Sequence, residues 1–343
     1  MRLIPIFVVL FLDPSVVKFN PIIHKKMKIC IYDINMLMNT IVESTKQKPK
    51  AKSALIALCK TRGLKGFSNK TAAELQALLD SGIQNKSPLR YPGGKTRAVK
   101  IIEKYVKAHY PGCKTLLSPF FGGGSFEIYL HDQGWKVYGN DLFKPLYVFW
   151  KQTQSVEGLE ALVRSVHSKM PVTKEAFMNM RESIMKLTNP LDIATAYYII
   201  NRTSFSGATF CGGFSSQAAS GRLNEASLAT LDSLKIGKIE FSNLDYSEFL
   251  DTHPDTDNTL IYADPPYYIT SYIYGKDGDM HESFNHVSFA AKIKSRKNWI
   301  LSYNDCQYIR DLYAGCRIFK ESWSYGMNSS KNSSEIIIIP PIV

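Results

Sequence analysis

Cysteine is sparse in this chain and never paired at short spacing. Six lie among 343 residues, at positions 30, 59, 113, 211, 306 and 316, and no two have the CxxC spacing of a zinc ribbon. That density is also too low for a disulfide scaffold, so reduced, buried thiols in an intracellular protein are expected. Long apolar runs are missing as well: no stretch approaches the roughly 18–20 residues that a membrane span requires. The opening MRLIPIFVVLFL has the charge and apolar run of a signal peptide, but no small-residue cleavage site follows it and the next segment is Lys-rich. Acidic residues are the third shortage, with 30 Asp and Glu against 42 Lys and Arg, a net charge of +12. The excess is concentrated in residues 1–86, which hold 14 Lys/Arg and only 5 Asp/Glu. This pattern reads as a basic arm before a nearly neutral body, and it favours an anionic partner, either nucleic acid or a membrane surface.

What is present is ample core material. A hydrophobic fraction of 45% and an aromatic fraction of 12% exclude global disorder. Residues 1–48 read as an uninformative extension and basic linker. Residues 87–343 are long enough for one large core or two linked ones.

Residues 49–84 form a separate pattern. Leu55, Ile56, Leu58 and Cys59 recur at helical spacing, as do Leu75, Leu78 and Leu79, and Gly63 and Gly66 mark a turn between them. Asn69 or Thr71 is placed to cap the second helix. Lys52, Lys60, Arg62, Lys65 and Lys70 sit on the edges and loop. The leucine pairs and the RGLKGFS turn resemble the SAP motif, a helix–loop–helix DNA-binding module. The resemblance implies phosphate contacts from Lys60, Arg62 and Lys65 that position without reading sequence.

Three segments of the body carry chemistry. In RYPGGK (90–95) a Gly-Gly turn feeds an amphipathic helix expected from about Arg97 to Tyr110. Gly94-Lys95-Thr96 matches the end of a P-loop, but Leu89 stands where that pattern needs glycine and no apolar strand precedes it. In TLLSPFFGGGSFEIYLHDQGWKVYGND, Thr115–Ser118 and Lys136–Asn140 read as strands and Phe126–His131 as a helix start. Phe120–Ser125 between them is a Gly-rich turn whose Gly122-x-Gly124 lets backbone approach a ligand. Asp141 then stands at a strand tip, where a carboxylate binds ribose hydroxyls. Glu127 leans towards a cationic ligand rather than a pyrophosphate. In NTLIYADPPYY, the strand Leu260–Ala263 delivers Asp264-Pro265-Pro266-Tyr267 at its C-terminal end. Asp264 and the Pro265 carbonyl are suited to accept the hydrogens of an exocyclic amine. The prolines stiffen the turn, and Tyr267 offers a face for an extruded base.

RYPGGK, PFFGGGSFE, GND and DPPYY, in that order, resemble the Dam-like (D12 class, α-group) N6-adenine-specific DNA methyltransferases over roughly residues 87–343. The resemblance implies an α/β fold: a Rossmann-like sheet dependent on S-adenosyl-L-methionine, with a helical target-recognition insertion at about 150–235. It implies a cofactor site made by Tyr91, Lys95, Phe120, Gly122, Gly124, Asp141, Asp245, Tyr246 and Asp264. Asp264, Pro265, Pro266 and Tyr267 become the catalytic tetrad, and no metal is needed. WILSYND (299–305) resembles a later core strand with Ser302 and Asn304 near the active face, and EIIIIP the closing hairpin. The family usually has a smaller residue where Phe121 sits. Helical patterns near 157–170, 174–187 and 190–200 fill the insertion. Within it Asn201, Arg202, Phe205 and Arg222 resemble target-recognition residues, Arg and Asn being suited to bidentate contacts with guanine and adenine. Residues 269–283 read as a DNA-ordered loop offering Tyr272 or Tyr274, with His281 and His286 as loop or helix-cap residues.

The expected activity is therefore site-specific adenine-N6 methylation of a flipped base in double-stranded DNA. Two rivals remain: cytosine-N4 transfer, against which Asp before PPY argues, and a non-catalytic DNA-binding protein with a decayed methyltransferase fold. A dinucleotide oxidoreductase gives DPPY no role. An intracellular monomer or weak dimer, off the membrane, is expected, and a cognate restriction endonuclease is left open.

Overall fold

The computed structural model describes residues 52–61, 67–75, 85–91, 93–268, 284–324 and 332–341. They belong to two compact units, one within residues 1–82 and one within 83–343. In the first, helix α1 (Lys52–Thr61) buries Leu55 and Cys59 against Leu75 of a second helical turn at 72–75. Of the two capping candidates Thr71 is the one used. The Glu74 N–H donates to Thr71 Oγ1 at 3.2 Å and the Thr71 N–H donates back to the Glu74 carboxylate at 2.7 Å, a reciprocal cap. The Thr71 N–H and hydroxyl, both donating to the Glu74 carboxylate, hold it below the usual carboxylate range. Most of the SAP-like turn, with Arg62 and Lys65, lies outside the described residues.

The larger unit is built on a seven-stranded sheet. Its strands are β1 (Thr115–Ser118), β2 (Lys136–Asn140), β3 (Glu240–Ser242), β4 (Thr259–Ala263), β5 (Trp299–Asn304), β6 (Arg317–Ser324) and β7 (Asn332–Ile339). They lie in the order β3-β2-β1-β4-β5-β7-β6. The first five are parallel, β7 runs antiparallel to β5, and β6 antiparallel to β7. Apolar runs such as TLIYA and EIIII suit strands covered on both faces. Alternate residues accordingly enter two cores: Leu116, Leu260, Ile300 and Ile337 on one side, Leu117, Ile261, Leu301 and Ile338 on the other.

Before and between the strands run α2 (Val99–His109) and α3 (Ser125–Asp132). Helix α2 thus starts at Val99 rather than at about Arg97, which ends a separate 3-10 turn over Lys95–Arg97. The connection from β2 to β3 is helical throughout: α4 (Lys144–Gln152), α5 (Val156–Ser168), α6 (Lys174–Ser183), α7 (Pro190–Thr203), α8 (Ser216–Arg222) and α9 (Glu225–Asp232). Its centre is α7, buried from Ile193 to Asn201. Asn189 accepts the N–H groups of Leu191 and Asp192, with Pro190 at the first helical position, so this helix starts where its own chemistry dictates. After β3 come α10 (Tyr246–Asp251), α11 (His286–Lys294) and α12 (Gln307–Leu312), whose Phe249, Phe289 and Ile309 cover the second face. Sequence reading did not foresee β3, whereas β6 and β7 form the expected closing hairpin. Among the described residues no helix is long and apolar enough to cross a membrane, and no three His, Cys, Asp or Glu are grouped as a metal site.

Candidate active site

The strand order reverses at β1, which has β2 on one side and β4 on the other, so the turns leaving β1 and β4 diverge and open a crevice. A cavity of about 480 Å³ lies there, within the range of small-molecule sites. Every residue expected to make the cofactor site is on its wall: Tyr91, Lys95, Phe120, Gly122, Gly124, Asp141, Asp245, Tyr246 and Asp264. Phe284, Asn285 and Ser288, from the start of α11, line it as well and were not foreseen.

The glycine turn after β1 is shaped by what it touches. Gly122 and Gly124 have φ of 50° and 65°, in the left-handed region. A Cβ on Gly122 would lie 3.0 Å from the Tyr91 ring, and one on Gly124 would lie 2.3 Å from the Phe121 ring. The large residue at 121 is thus accommodated by its glycine neighbours. Its buried ring packs edge-on against Trp150 and Phe241. Trp150 Nε1 donates to the Gly122 carbonyl at 3.0 Å, and the Gly122 N–H donates to Asp141 Oδ2 at 2.9 Å. Asp141 also accepts the Phe143 N–H, and burial pushes its carboxyl up to about 6.

Asp264 leaves the end of β4 with both oxygens engaged. Lys95 Nζ donates to Oδ2 at 2.6 Å and Ser302 Oγ to Oδ1 at 2.9 Å, each oxygen keeping a further lone pair. Tyr262 shares a hydrogen bond with Ser302 below, so the clamp is rooted in β4 and β5. Asn304 Nδ2 donates to the Tyr268 carbonyl at 2.8 Å and fixes the chain just past the tetrad. Pro266 lines the cavity, whereas Tyr267 is buried, its hydroxyl donating 2.7 Å to Glu335 Oε2 and its ring 5.0 Å from Lys95 Nζ. Sequence reading missed Glu335. The available signal was a lone acid at the head of a four-isoleucine strand.

Among the described residues the wall carries four carboxyl groups, those of Glu127, Asp141, Asp245 and Asp264, against the ammonium of Lys95. Glu127 accepts the Ser118 hydroxyl at 2.9 Å. Burial, with the Asp264 charge adding, pushes it up to about 8. Phe120, Tyr246 and Phe284 meet with ring centroids 5.5–5.7 Å apart and make an aromatic flank. Asp245 caps α10, accepting the Ser247 N–H at 2.8 Å. Surplus negative charge, a glycine cradle and aromatic faces fit S-adenosylmethionine, a cation with an adenine ring.

The insertion corrects one expectation. Asn201 is fully buried, and its side chain accepts the Arg90 N–H at 2.9 Å while donating to the Arg90 carbonyl at 2.6 Å and to Thr209 Oγ1 at 3.0 Å. It braces the RYPGGK segment and has no donor left for a base edge. The half-buried Arg202 guanidinium donates to the Arg222 and Pro88 carbonyls, and desolvation lowers its basicity. Phe205, 68% exposed, and the exposed Arg222 remain at the surface. His286 is the first residue of α11 after the cap Asn285 and shares a hydrogen bond with the Tyr303 hydroxyl. Tyr272, Tyr274 and His281 lie outside the described residues.

The order of motifs along the chain, the sheet and the cavity at its switch point agree with one further finding. Residues 91–327 match the model of the D12 class N6 adenine-specific DNA methyltransferases, and the chain belongs to that family.

Proposed function

We propose that Asp264, Pro265, Pro266 and Tyr267 receive the target adenine while the adjoining cavity holds the cofactor. The family's reaction is methylation of adenine N6 in DNA, and its cofactor, S-adenosylmethionine, supplies an electrophilic methyl on a sulfonium centre. Tyr91, Gly122 and Gly124 hold its methionine end, Asp141 the ribose, and Asp245 with Tyr246 the adenine. Asp264 accepts one hydrogen of the exocyclic amine and the Pro265 carbonyl the other. This draws the nitrogen from planar conjugation towards a nucleophilic geometry. Lys95 and Ser302 keep the Asp264 carboxylate from rotating, so the acceptor is already placed when the base arrives. Extruding the base costs about a few kcal/mol, repaid within the pocket.

The observation that carries this reading is the position of Asp264: clamped, at the carboxyl end of β4, on the wall of the cavity. Phe205 and Arg222 are the surface groups of the insertion offered to duplex DNA. Lys60, Arg62 and Lys65 of the SAP-like module add non-specific phosphate affinity. A monomer or weak dimer inside the cell, with or without a paired restriction endonuclease, fits the same reading. The test is Asp264→Ala, assayed for methyl transfer to DNA and, by calorimetry, for cofactor binding. Transfer is expected to vanish while binding largely survives, and an unchanged transfer rate would overturn the assignment. Identifying the modified nucleoside after digestion tests the adenine specificity directly.

A further inference from the structure

The buried cluster beside the tetrad contains one group to which the reading above gives no task. Glu335 is 1% exposed and is followed along β7 by Ile336, Ile337, Ile338 and Ile339, all fully buried. Its Oε2 accepts the Tyr267 hydroxyl at 2.7 Å and lies 3.9 Å from Lys95 Nζ. Its Oε1 is buried with no hydrogen-bond partner among the described residues. Burying a carboxylate in this way costs several kcal/mol, and an apolar side chain of similar volume would serve β7 better as packing. Lys95 is meanwhile held between two acids, 2.6 Å from Asp264 and 3.9 Å from Glu335.

We infer that Glu335 is a positioning residue for the transfer step, fixing the Tyr267 ring through its hydroxyl and setting, through Lys95, how tightly the ammonium holds Asp264. The inference rests on the roles proposed above for Asp264 and Tyr267. With Glu335 ionised, the Lys95 charge is shared by two carboxylates and Asp264 is freer to accept the amine. With Glu335 protonated, Lys95 bears on Asp264 alone. Burial pushes Glu335 up to about 7, Lys95 opposing the rise and Asp264 adding to it, so the change falls near neutral pH. Among the described residues the other titratable groups facing it are the Tyr267 hydroxyl and Glu321. Glu321 is the cross-strand partner of Glu335 and takes the Tyr105 hydroxyl. Glu335 is not on the cavity wall, so it makes no direct contact with a cofactor held there, and measuring cofactor affinity beside the rate tells its effect on transfer from an effect on binding.

The test compares the full chain with E335Q, which is isosteric and keeps an acceptor for Tyr267, and with E335A. Single-turnover transfer from tritiated S-adenosylmethionine to sheared, adenine-unmethylated genomic duplex is followed from pH 6 to 9. Calorimetric cofactor affinity and thermal unfolding are measured in parallel. Cofactor Kd is expected to stay within about twofold in both variants. The rate at pH 8 should fall about tenfold in E335Q and about a hundredfold in E335A, the scale of a misplaced reacting geometry. The native rate should rise with pH through about 7, and E335Q should lack that rise. Native rates and pH profiles in both variants would overturn the inference. So would a loss of cofactor affinity in E335Q as large as its loss of rate. If the native chain transfers no methyl, the functional reading itself falls. Normal native transfer that is indifferent to Glu335 sinks the inference alone.

Discussion

Lys95 Nζ rests 2.6 Å from Asp264 Oδ2 although 169 positions separate the two residues in the chain. The pair joins RYPGGK to DPPYY physically, and the ammonium is 4% exposed against 23% for the carboxylate side chain. Replacing Lys95 by Met leaves Asp264 without its cation. Loss of stability by about 2–3 kcal/mol in denaturant titration is expected, below the usual cost for a wholly buried pair because Asp264 keeps some water. Methyl transfer should fall with it. A variant as stable and as active as the native chain would show that the pair is incidental.

The brace formed by Asn201 gives a different signature. Asn201→Ala strands the Arg90 N–H and carbonyl in a buried setting, with an expected cost of about 2–4 kcal/mol. The set of DNA sites methylated by the surviving protein should be unchanged. A shifted site preference, read by methylome sequencing, would return Asn201 to base recognition.

For the exposed pair the expectation is reversed. Phe205→Ala and Arg222→Ala should leave Tm within about one degree, as surface changes do, and should weaken DNA binding. Across roughly 50–200 mM salt, Arg222→Ala should reduce the slope of log affinity against log salt by about 1. Identical binding isotherms would remove these residues from the interface.

The acids of the cavity make stability fall with rising pH. Glu127 is raised from 4.5 to about 8, so the folded chain keeps a proton that the unfolded chain releases. The stability tied to that proton is fully present below about pH 4.5 and is lost as pH passes through about 8. Glu335 and Asp141, raised to about 7 and about 6, act with the same sign. Thermal scans from pH 5 to 9 should show Tm declining, with a shallower decline in Glu127→Gln. Parallel profiles would mean that Glu127 does not titrate in this range.

The strands with apolar runs were legible before the structure. Thr115–Ser118 and Lys136–Asn140 match to the residue, because a buried parallel strand writes its burial into side-chain type. β3 escaped because three residues carry no period, and the bounds of β6 were not readable because RIFKESWS mixes charge with its apolar positions. At the site, the glycine turn and DPPY were readable because each demands special backbone or side-chain chemistry at a strand end. Asn201 shows the limit of such reading for a physical reason: a group suited to a base edge binds a backbone N–H and carbonyl equally well, and burial decides between the two. Glu335 stands out only as an acid heading an isoleucine strand, and its role was not readable because its partner Tyr267 is 68 positions away with no local pattern linking them.

The place of β7 between β5 and β6 has a consequence for biogenesis. Among the described residues β6 pairs with no strand but β7, so it joins the sheet only once residues 332–339 are made and have paired with β5. The same step delivers Glu335 to Tyr267 and Lys95. A nascent chain stalled near residue 330 would already hold the glycine turn, Asp141 and the whole of DPPY, yet it would lack the acid beside the tetrad. Assembly of the centre is thereby tied to completion of the sheet.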